Sequence, residues 1–354
     1  MEATAYGTGA GVHSIEVSIR GQWVTVPSAV INGHTVVVRG RWITMAEIND
    51  EYWIEGELED PEGFVKSWKA QSAKGLKADV LTFSQKLPNV TPKHPYPVDW
   101  DNVAAIPLTS YENWLKKLSQ DTRRNIKTAA KRGVTTRLLR FDEDLVRGIM
   151  DINNEFPVRQ GRAFHHYGKD FAGVQRDYAS FADRSDYIGA FFQDEMIAFL
   201  KIVRIGQTAA VMQLLSKMSH HDKRASNALI AKAVEHYVDQ KASYLTYIRY
   251  RYGKKRQSPL TEFKRRNRFE EIAIPRFYLP LTPKGRVAIG LNLHKSLVEV
   301  LPERLTYALL DMRARWHARG TEDAVPSQRE ATDHLSVRED PSEAAASHGR
   351  AERT

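Results

Sequence analysis

Residues Asp186 to Met218 decide the fold, and they read DYIGAFFQDEMIAFLKIVRIGQTAAVMQLLSKM. Three short apolar runs follow one another in this stretch, and each has the length of a strand. The polar residues Gln-Asp-Glu at 193–195 separate the first two runs and are typical of a hairpin turn. We therefore predict three successive strands, at residues 186–192, 196–205 and 208–218.

The residues on both sides of this stretch continue a regular series of elements. Small and apolar residues recur at helical spacing between Ser226 and Gln240, which predicts a helix there. By the same criteria, the other flanking elements are a strand at 134–140, helices at 142–155 and 169–181, a strand at 243–250, a helix at 259–267 and a strand at 270–281.

A basic helix precedes this series. Ser119 is a suitable N-cap and Gly133 a suitable C-terminal cap, so the residues between them are predicted to be helical. Residues 116–132 hold seven bases and one acid, and the apolar stripe of the helix is short. The sequence leaves two readings open, a solvated basic surface and a face that binds an anionic ligand.

The N-terminal part of the chain has a different pattern. Residues 13–58 alternate apolar and polar side chains between glycine-containing turns, which predicts a β-rich beginning with a hairpin turn at Asn32-Gly33. A helix at 61–74 and a buried strand at 78–83 are predicted to follow. Four prolines at 88–97 mark a linker, and a short strand near 103–108 comes after it.

These features divide the chain into six segments. We predict a flexible N-terminus, a β-rich N-terminal lobe, a basic linking helix, a second lobe, a C-terminal helical segment and a disordered acidic tail, at residues 1–12, 13–110, 111–133, 134–282, 283–320 and 321–354. The helical segment is predicted from apolar residues at helical spacing between Leu297 and Trp316. The tail holds eight acids and four arginines without apolar periodicity, which is typical of disorder.

The composition excludes several classes of function. The chain of 354 residues has no cysteine, which excludes disulfides, thiolate zinc sites, iron–sulfur clusters and a cysteine nucleophile. No secretory signal is visible, and no apolar run approaches the ~20 residues of a membrane helix. We therefore expect a cytoplasmic protein without membrane insertion. Its net charge of +9 favours polyanionic partners.

From residue 134 onward, the order of the predicted elements resembles the GNAT acyltransferase fold, including its closing helix, aromatic residue and final strand at Ser258 to Ile272. Separately, residues 119–134, SQDTRRNIKTAAKRGV, look like the signature that opens the second lobe of FemAB-like and BioF2-like acyltransferases. The resemblance implies an α+β fold with a central mixed, mostly antiparallel sheet flanked by helices. It also implies an N-acyltransferase that moves an acyl group from an activated donor, acyl-CoA in the first instance, to an amine.

The resemblance places the acyl donor at the end of the fourth strand of that lobe, where a backbone N–H stabilises the oxyanion. In this chain the place corresponds to residues 214–218, with Leu215 and Ser216 as candidates. The next helix N-terminus cradles pyrophosphate with glycine-rich backbone in the family, but here it contains no glycine. The candidates for binding phosphate there are Lys223, Arg224, Ser226 and Asn227, although Ser226 also reads as a plain N-cap.

A second departure from the family concerns the group that returns a proton to the leaving thiolate. The resemblance places a tyrosine in the closing helix, but Lys264 occupies that position, and Arg268 replaces the usual glycine before Phe269. The candidate substitutes are Tyr247, Tyr250 and Tyr252 at the end of the preceding strand, with Tyr247 as the first candidate, although a tyrosine in a strand is more often a packing residue.

The loop at 153–168 combines Arg, His, Gln and Tyr side chains and lies where GNAT folds build the acceptor pocket. The candidate general bases are Glu155 and His166, and the candidates for binding the acceptor are Arg159, Gln160, Arg162, His165 and Tyr167. The plain alternative is a solvent-exposed loop around the helix-ending Pro157. Because the adjacent histidines of the chain lack further spaced ligands, we expect no metal site.

Residues 249–268 hold nine bases and one acid, and this cluster has three readings. In the first reading it binds the phosphates of acyl-CoA, which we expect as a co-substrate and not as a tightly bound cofactor. In the second it binds tRNA, as in an aminoacyl-tRNA-dependent FemAB-like transferase, and in the third it is only a soluble basic surface. A hypothesis from another class is a catalytically silent module that binds RNA or a protein partner. The expected acceptor is a small-molecule or peptide amine, and we expect no DNA partner.

Overall fold

The protein is described here from a computed structural model, which describes residues 13–294 except 20–21, 73–75, 160 and 252–257. The predicted flexible N-terminus, the predicted helix at 297–316 and the predicted acidic tail lie outside the described residues.

Fourteen strands and eight α-helices alternate along the described part of the chain. The strands are β1 (His13–Ile19), β2 (Gln22–Ile31), β3 (His34–Arg39), β4 (Met45–Ile48), β5 (Val80–Ser84), β6 (Val98–Pro107), β7 (Thr135–Leu139), β8 (Val158–Arg159), β9 (Arg162–Ala163), β10 (Ser185–Phe192), β11 (Glu195–Ile205), β12 (Thr208–Ser216), β13 (Tyr244–Arg249) and β14 (Glu270–Pro280). The helices are α1 (Pro61–Ser72), α2 (Tyr111–Lys117), α3 (Gln120–Lys131), α4 (Glu143–Asn153), α5 (Phe171–Tyr178), α6 (Ala225–Asp239), α7 (Pro259–Arg266) and α8 (Pro283–Gly290).

Twelve of the strands form one mixed sheet in the order β1-β2-β3-β4-β5-β14-β6-β13-β12-β11-β10-β7. Most neighbours are antiparallel, and only β4–β5 and β12–β13 are parallel among the described strands. The predicted fold class, a mixed, mostly antiparallel sheet flanked by helices, is therefore confirmed.

The local patterns predicted most elements with small errors at their ends. The three apolar runs form β10, β11 and β12, and the basic helix α3 begins at the predicted cap, where the Ser119 hydroxyl accepts a hydrogen bond from the Thr122 N–H. Helices α2 and α8 lie inside the predicted basic linking helix at 111–133 and the predicted C-terminal helical segment at 283–320, but the pattern did not distinguish either one as a separate helix. Helix α2 has seven residues and buries only Trp114, so it has almost no apolar periodicity to recognise.

The sheet continues across the linker at 88–97. Strand β6, which follows the linker, pairs with β13 on one side and with β14 on the other. Strand β14 in turn pairs with β5, so the last strand of the sheet in sequence lies between two early ones. The elements that resemble a GNAT lobe thus share their sheet with the N-terminal strands.

The sheet is covered on both faces. One face packs against α1 and α6, where Phe64 and Leu229 are fully buried. The other face packs against α4 and α5 through Ile149 and Phe199, and against the segment at 49–57 through Trp53. Because successive side chains of a strand alternate between faces, the central strands carry apolar residues on both sides.

Candidate active site

A gap opens in the sheet between β12 and β13. The two parallel strands pair only over three residue pairs, Thr208–Ala210 with Tyr244–Thr246. Beyond these pairs β12 continues to Ser216 and β13 to Arg249 without further pairing to each other. A parallel pair that separates exposes backbone N–H and C=O groups inside an otherwise closed sheet, so the gap is a place where a ligand can pair with backbone.

The backbone of β12 directs two N–H groups toward this gap. The Lys217 N–H donates to the Ile197 carbonyl oxygen of β11 at 2.8 Å, and antiparallel pairing alternates from there. The N–H of Leu215 therefore points to β11, whereas those of Leu214 and Ser216 point to the opposite edge. Of the two predicted donor-binding residues, Ser216 thus has its N–H directed into the gap, whereas the N–H of Leu215 is directed to β11.

Helix α6 begins beside the gap without a side-chain cap. Its N-cap residue, Arg224, has a φ of +57° and makes no side-chain hydrogen bond to the helix. Ser226 is thus the second helical residue and not an N-cap. Among the described residues, the N–H groups of Ala225 and Ser226 have no backbone acceptor, so the positive end of the helix dipole is available to an anion.

Positive side chains surround this helix end. The ammonium of Lys223 lies 4.1 Å from the centre of the Phe192 ring, and Arg132 reaches Asp222 with an N–O distance of 3.3 Å. Asn227 donates from its amide to Asn267 of α7 at 3.3 Å, which bridges α6 and α7. The four residues predicted to bind phosphate lie at this helix start, where Lys223 and Arg224 supply positive charge, and their role in binding phosphate stays a prediction.

Lys264 is the most buried charge near the gap. Its side chain is 0% exposed, and its Nζ donates to the Arg249 carbonyl oxygen at 2.5 Å, at the end of β13. The same ammonium lies 4.5 Å from the centre of the Tyr247 ring. Burial lowers the pKa of Lys264 to about 8. A proton donor with this pKa therefore stands beside the predicted catalytic tyrosine.

Arg268 explains how the chain omits the glycine of the family pattern. It follows α7 with a φ of +63°, which is the left-handed conformation that glycine adopts most easily. The Phe269 N–H closes the turn by donating to the Lys264 carbonyl oxygen at 3.0 Å. A residue with a long side chain therefore occupies a backbone conformation that glycine adopts most easily.

Glu155 has a different environment from that of a general base. Its carboxylate accepts hydrogen bonds from the Met218 N–H at 2.6 Å, and from the N–H and the hydroxyl of Ser219 at 2.9 and 2.6 Å. Burial raises its pKa, but these hydrogen bonds outweigh burial and hold the pKa below its usual range. Glu155 anchors the chain that leaves β12, and its carboxylate is a weak proton acceptor.

Arg159 is also engaged inside the protein. Its guanidinium donates to the Ser216 carbonyl oxygen at 2.9 Å and to that of Ile152, pairs with Glu155 at 3.5 Å, and lies 4.5 Å from the centre of the Phe164 ring. These contacts join the loop to the end of β12. The buried Nε of Arg159 has no hydrogen-bond partner among the described groups, and the predicted contact with an acceptor carboxylate stays a prediction.

The remaining loop residues separate into buried and exposed ones. His166 packs between rings of Phe164 and Tyr178, and burial, with a smaller effect of the His165 ring, lowers its pKa to about 4. It is therefore neutral at pH 7 and a weak base. His165 and Tyr167 are exposed. Of the other two predicted acceptor residues, Gln160 lies outside the described residues, and Arg162 contributes the backbone of β9.

A cleft that the sequence did not reveal lies on the face opposite α6. It is a half-open cleft with a cavity volume of about 70 Å³, and its floor is the part of the sheet where β12 and β13 begin to separate. Its walls come from the segments 51–53 and 84–87. The lining residues are Glu51, Tyr52, Trp53, Ser84, Gln85, Lys86, Leu87, Val103, Ile205, Thr208, Ala210, Thr246, Ile248 and Ile274.

A buried ionic network forms one side of this cleft. Arg276 donates to Asp101 at 2.6 Å and to Glu51 at 2.9 Å, and Tyr52 donates from its hydroxyl to Asp101 at 3.3 Å. Arg249 lies 3.7 Å from the Asp101 carboxylate. The sequence feature that could have indicated this side of the cleft is an acid followed by two aromatic residues at 51–53, shortly after β4. These residues lie far in sequence from the predicted acyltransferase lobe.

A metal site and a membrane-spanning helix were also sought among the described residues. Within the ranges that the structure describes, no group of three or more His, Asp or Glu side chains is arranged to hold a metal ion. In the same part of the chain, every helix is too short or too polar to cross a bilayer.

Similarity to known proteins is confined to structure. No family model matches the chain, and no curated protein sequence matches it either. Among solved structures, the chain is similar to FemX, with a TM-score of 0.52 and 9% identity over 79% of this chain and 90% of that one. The likeness shows a GNAT-like fold.

Two further solved structures are less similar. L-PGS from Bacillus licheniformis aligns with a TM-score of 0.48 and 10% identity, over 75% of this chain and 87% of that one. A tandem GNAT protein from the clavulanic acid biosynthesis pathway aligns with a TM-score of 0.37 and 9% identity, over 73% of this chain and 82% of that one.

Proposed function

We propose that this protein is an N-acyltransferase that moves an acyl group from acyl-CoA to an amine. The observation that carries the proposal is the gap between β12 and β13, which opens after three residue pairs beside the uncapped start of α6. A thioester arm in this gap meets unpaired backbone, while its phosphates meet the helix end. The GNAT-like fold supports the same assignment by analogy.

The gap is suited to the arm of the donor. Partly buried side chains flank it on the α6 side, and they include Leu214 of β12, Tyr247 of β13 and Phe263 of α7. Apolar contact on both sides and hydrogen bonds to exposed backbone are what an extended amide-containing chain requires. At the outer end, Arg224 and the free N–H groups of α6 supply positive potential for pyrophosphate.

The reaction needs one bond formed and one broken. The amine nitrogen attacks the thioester carbonyl carbon, and the Ser216 N–H, which points into the gap, stabilises the oxyanion. The C–S bond then breaks, the nitrogen loses a proton to solvent or a base, and the thiolate takes up a proton. Lys264, beside Tyr247 at the gap, is the proton source that we assign to the thiolate.

Isothermal calorimetry with acetyl-CoA and longer acyl-CoA species tests the proposed donor. Arg224→Ala is expected to weaken binding about 5- to 20-fold, because it removes a charge at the phosphates. Lys232→Ala removes the same charge from the exposed side of the same helix and is the matched control. If no acyl-CoA binds below millimolar concentration, or if both variants lose equal affinity, the assignment of this donor site is wrong.

Aminoacyl-tRNA is the second candidate donor, because α3 presents Arg124 and Lys127 on a largely solvent-exposed basic face. Binding of tRNA would weaken steeply with added salt, whereas binding of acyl-CoA in a closed gap would change little. A titration with charged tRNA at two salt concentrations separates the two donors. Binding of RNA without any acyl transfer would instead favour a catalytically silent module.

A further inference from the structure

We propose that the cleft at residues 51–53 and 84–87 is the acceptor site, and that it takes an amine with an apolar body and one carboxylate, which Lys86 binds. This inference rests on the proposed function and names the class of acceptor for that reaction. Apolar amino acids are the simplest members of this class. It assigns acceptor recognition to the N-terminal strands and their loops.

The position of the cleft fits an acceptor that meets a donor coming from the other face. Leu245 and Tyr247 of β13 point to the α6 side, whereas Thr246 and Ile248 line the cleft. Ala210, which ends the pairing of β12 with β13, also lines it. Ile248 lies beyond this last pair, so the cleft extends along the part of β13 that borders the gap, and an amine in the cleft would approach the gap from the face opposite the donor.

The floor of the cleft selects an apolar body. The part of the sheet that lines it is mainly aliphatic, so an apolar group of the ligand is favoured there. Ile248 has a φ of +43°, at an irregularity in the pairing of β13 with β6. A β-branched side chain rarely adopts this conformation, and strain of this kind is concentrated at binding sites.

Most polar groups of the wall already have partners. Glu51 accepts from the Ser84 N–H and from Arg276, and the Tyr52 hydroxyl donates to Asp101. The Gln85 amide donates to the carbonyl oxygens of Asn89 and Thr91, and its oxygen accepts from the Lys93 N–H. These groups shape the wall, but their hydrogen-bonding capacity is used within the protein.

Lys86 is the exception. Its ammonium donates to the Ile54 carbonyl oxygen, and an ammonium carries three donors. Glu57, the other nearby acid, is paired with Lys93 and accepts from the Lys86 backbone N–H. Burial lowers the pKa of Lys86 to about 8, although Glu51 and Glu57 act in the opposite direction. A partly buried cation with spare donors favours an anionic group on the ligand.

The surrounding charges favour a carboxylate over a phosphate. Lys86 is the one cation among the residues that line the cleft, and Glu51 lines it as well, so a phosphate dianion would find a single cation for its two charges there. A carboxylate needs only one charge and two or three donors. The acceptor class is therefore a monoanionic amine with an apolar side chain.

Calorimetry with L-phenylalanine and phenethylamine tests this class, because the two amines differ only in the carboxylate. The wild-type protein is expected to bind L-phenylalanine at least 10-fold more tightly. Lys86→Met should abolish the difference, and Lys232→Met, which removes an exposed lysine elsewhere, should preserve it. Ala210→Val, which fills the floor, should weaken both amines, and a thermal melt of each variant shows that it folds.

The outcomes separate this inference from the proposed function. Equal affinity for the two amines, or a preference that survives Lys86→Met, overturns the carboxylate assignment. If acyl-CoA binds and neither amine does, the acceptor inference fails and the proposed function stands. If the amines bind as expected and no acyl-CoA does, the proposed function fails and the cleft remains an amine-binding site.

Discussion

The Nζ atom of Lys264 lies 2.5 Å from the carbonyl oxygen of Arg249, so the closing helix is tied to the strand that borders the gap. The same ammonium stacks on Tyr247, and the side chain is fully buried. Lys264 can either hold β13 in place or supply a proton in the reaction. Two substitutions distinguish these roles.

Lys264→Arg keeps a positive charge on Tyr247 but holds its proton at neutral pH, whereas Lys264→Met removes the charge. If Lys264 supplies the proton, both variants should lower kcat about 100-fold, and the fall of activity above about pH 8, where Lys264 loses its proton, should disappear. The readout is the pH profile of kcat, with thermal melts as a check on folding. Recovery of kcat in Lys264→Arg alone would assign the residue a purely structural role.

Glu155→Gln should destabilise the protein by about 1–3 kcal/mol, because one amide oxygen replaces a carboxylate that accepts three hydrogen bonds from Met218 and Ser219. It should also weaken acyl-CoA binding, since the end of β12 loses its anchor. Glu143→Gln, on the exposed surface of α4, is the control. Unchanged stability in urea together with a lost acidic limb in the rate profile would instead support the predicted base.

Lys201→Met should change how stability depends on pH. Lys201 is fully buried in β11, donates to the carbonyl oxygens of Tyr178 and Ser180, and burial lowers its pKa from 10.5 to about 7. Between these values the unfolded chain holds a proton that the folded protein has released, so wild-type stability rises with pH. The loss caused by Lys201→Met should therefore grow by about 1 kcal/mol per pH unit between pH 7 and 9.

Urea unfolding at several pH values measures this effect. Lys232→Met, which removes an exposed lysine of α6, should show the wild-type slope. A constant difference between Lys201→Met and the wild-type protein across the range would mean that Lys201 does not release its proton on folding.

Arg268→Gly should be at least about 1 kcal/mol more stable than Arg268→Ala, because the residue has a φ of +63° and only glycine adopts it without strain. Both variants lose the bond from the Arg268 guanidinium to the Lys117 carbonyl oxygen, so their difference isolates the backbone. Thermal unfolding compares them directly. Equal melting temperatures would show that the turn relaxes when the side chain is removed.

The elements were predictable because their signals are local. Strands β10 to β12 follow from apolar runs, and α3 follows from its caps, which lie within a few residues of the helix that they end. The start of α6 was also located correctly, although Arg224 rather than Ser226 turned out to be its first boundary residue. Such features depend on backbone preferences that neighbouring residues determine.

The candidate site was less predictable because its partners are distant in sequence. The residue type of Arg159 predicts a ligand-binding side chain, but no local pattern shows that its guanidinium donates to the carbonyl oxygen of Ser216, 57 residues away. The cleft requires Glu51 and Ile248 to lie on one face, and no local pattern relates them. Residue types reveal which chemistry is available, whereas the fold decides which groups are already used.

Strand β14 lies between β5 and β6, and this position affects how the chain must be made. During synthesis, β5 and β6 leave the ribosome roughly 170 residues before the strand that separates them, at ~5–20 residues per second. For that interval both strands expose unpaired edges, which favour aggregation and incorrect pairing. A nascent chain that stops before Glu270 leaves these edges unpaired. Chaperones must therefore protect it for longer than a protein in which each half completes its own sheet.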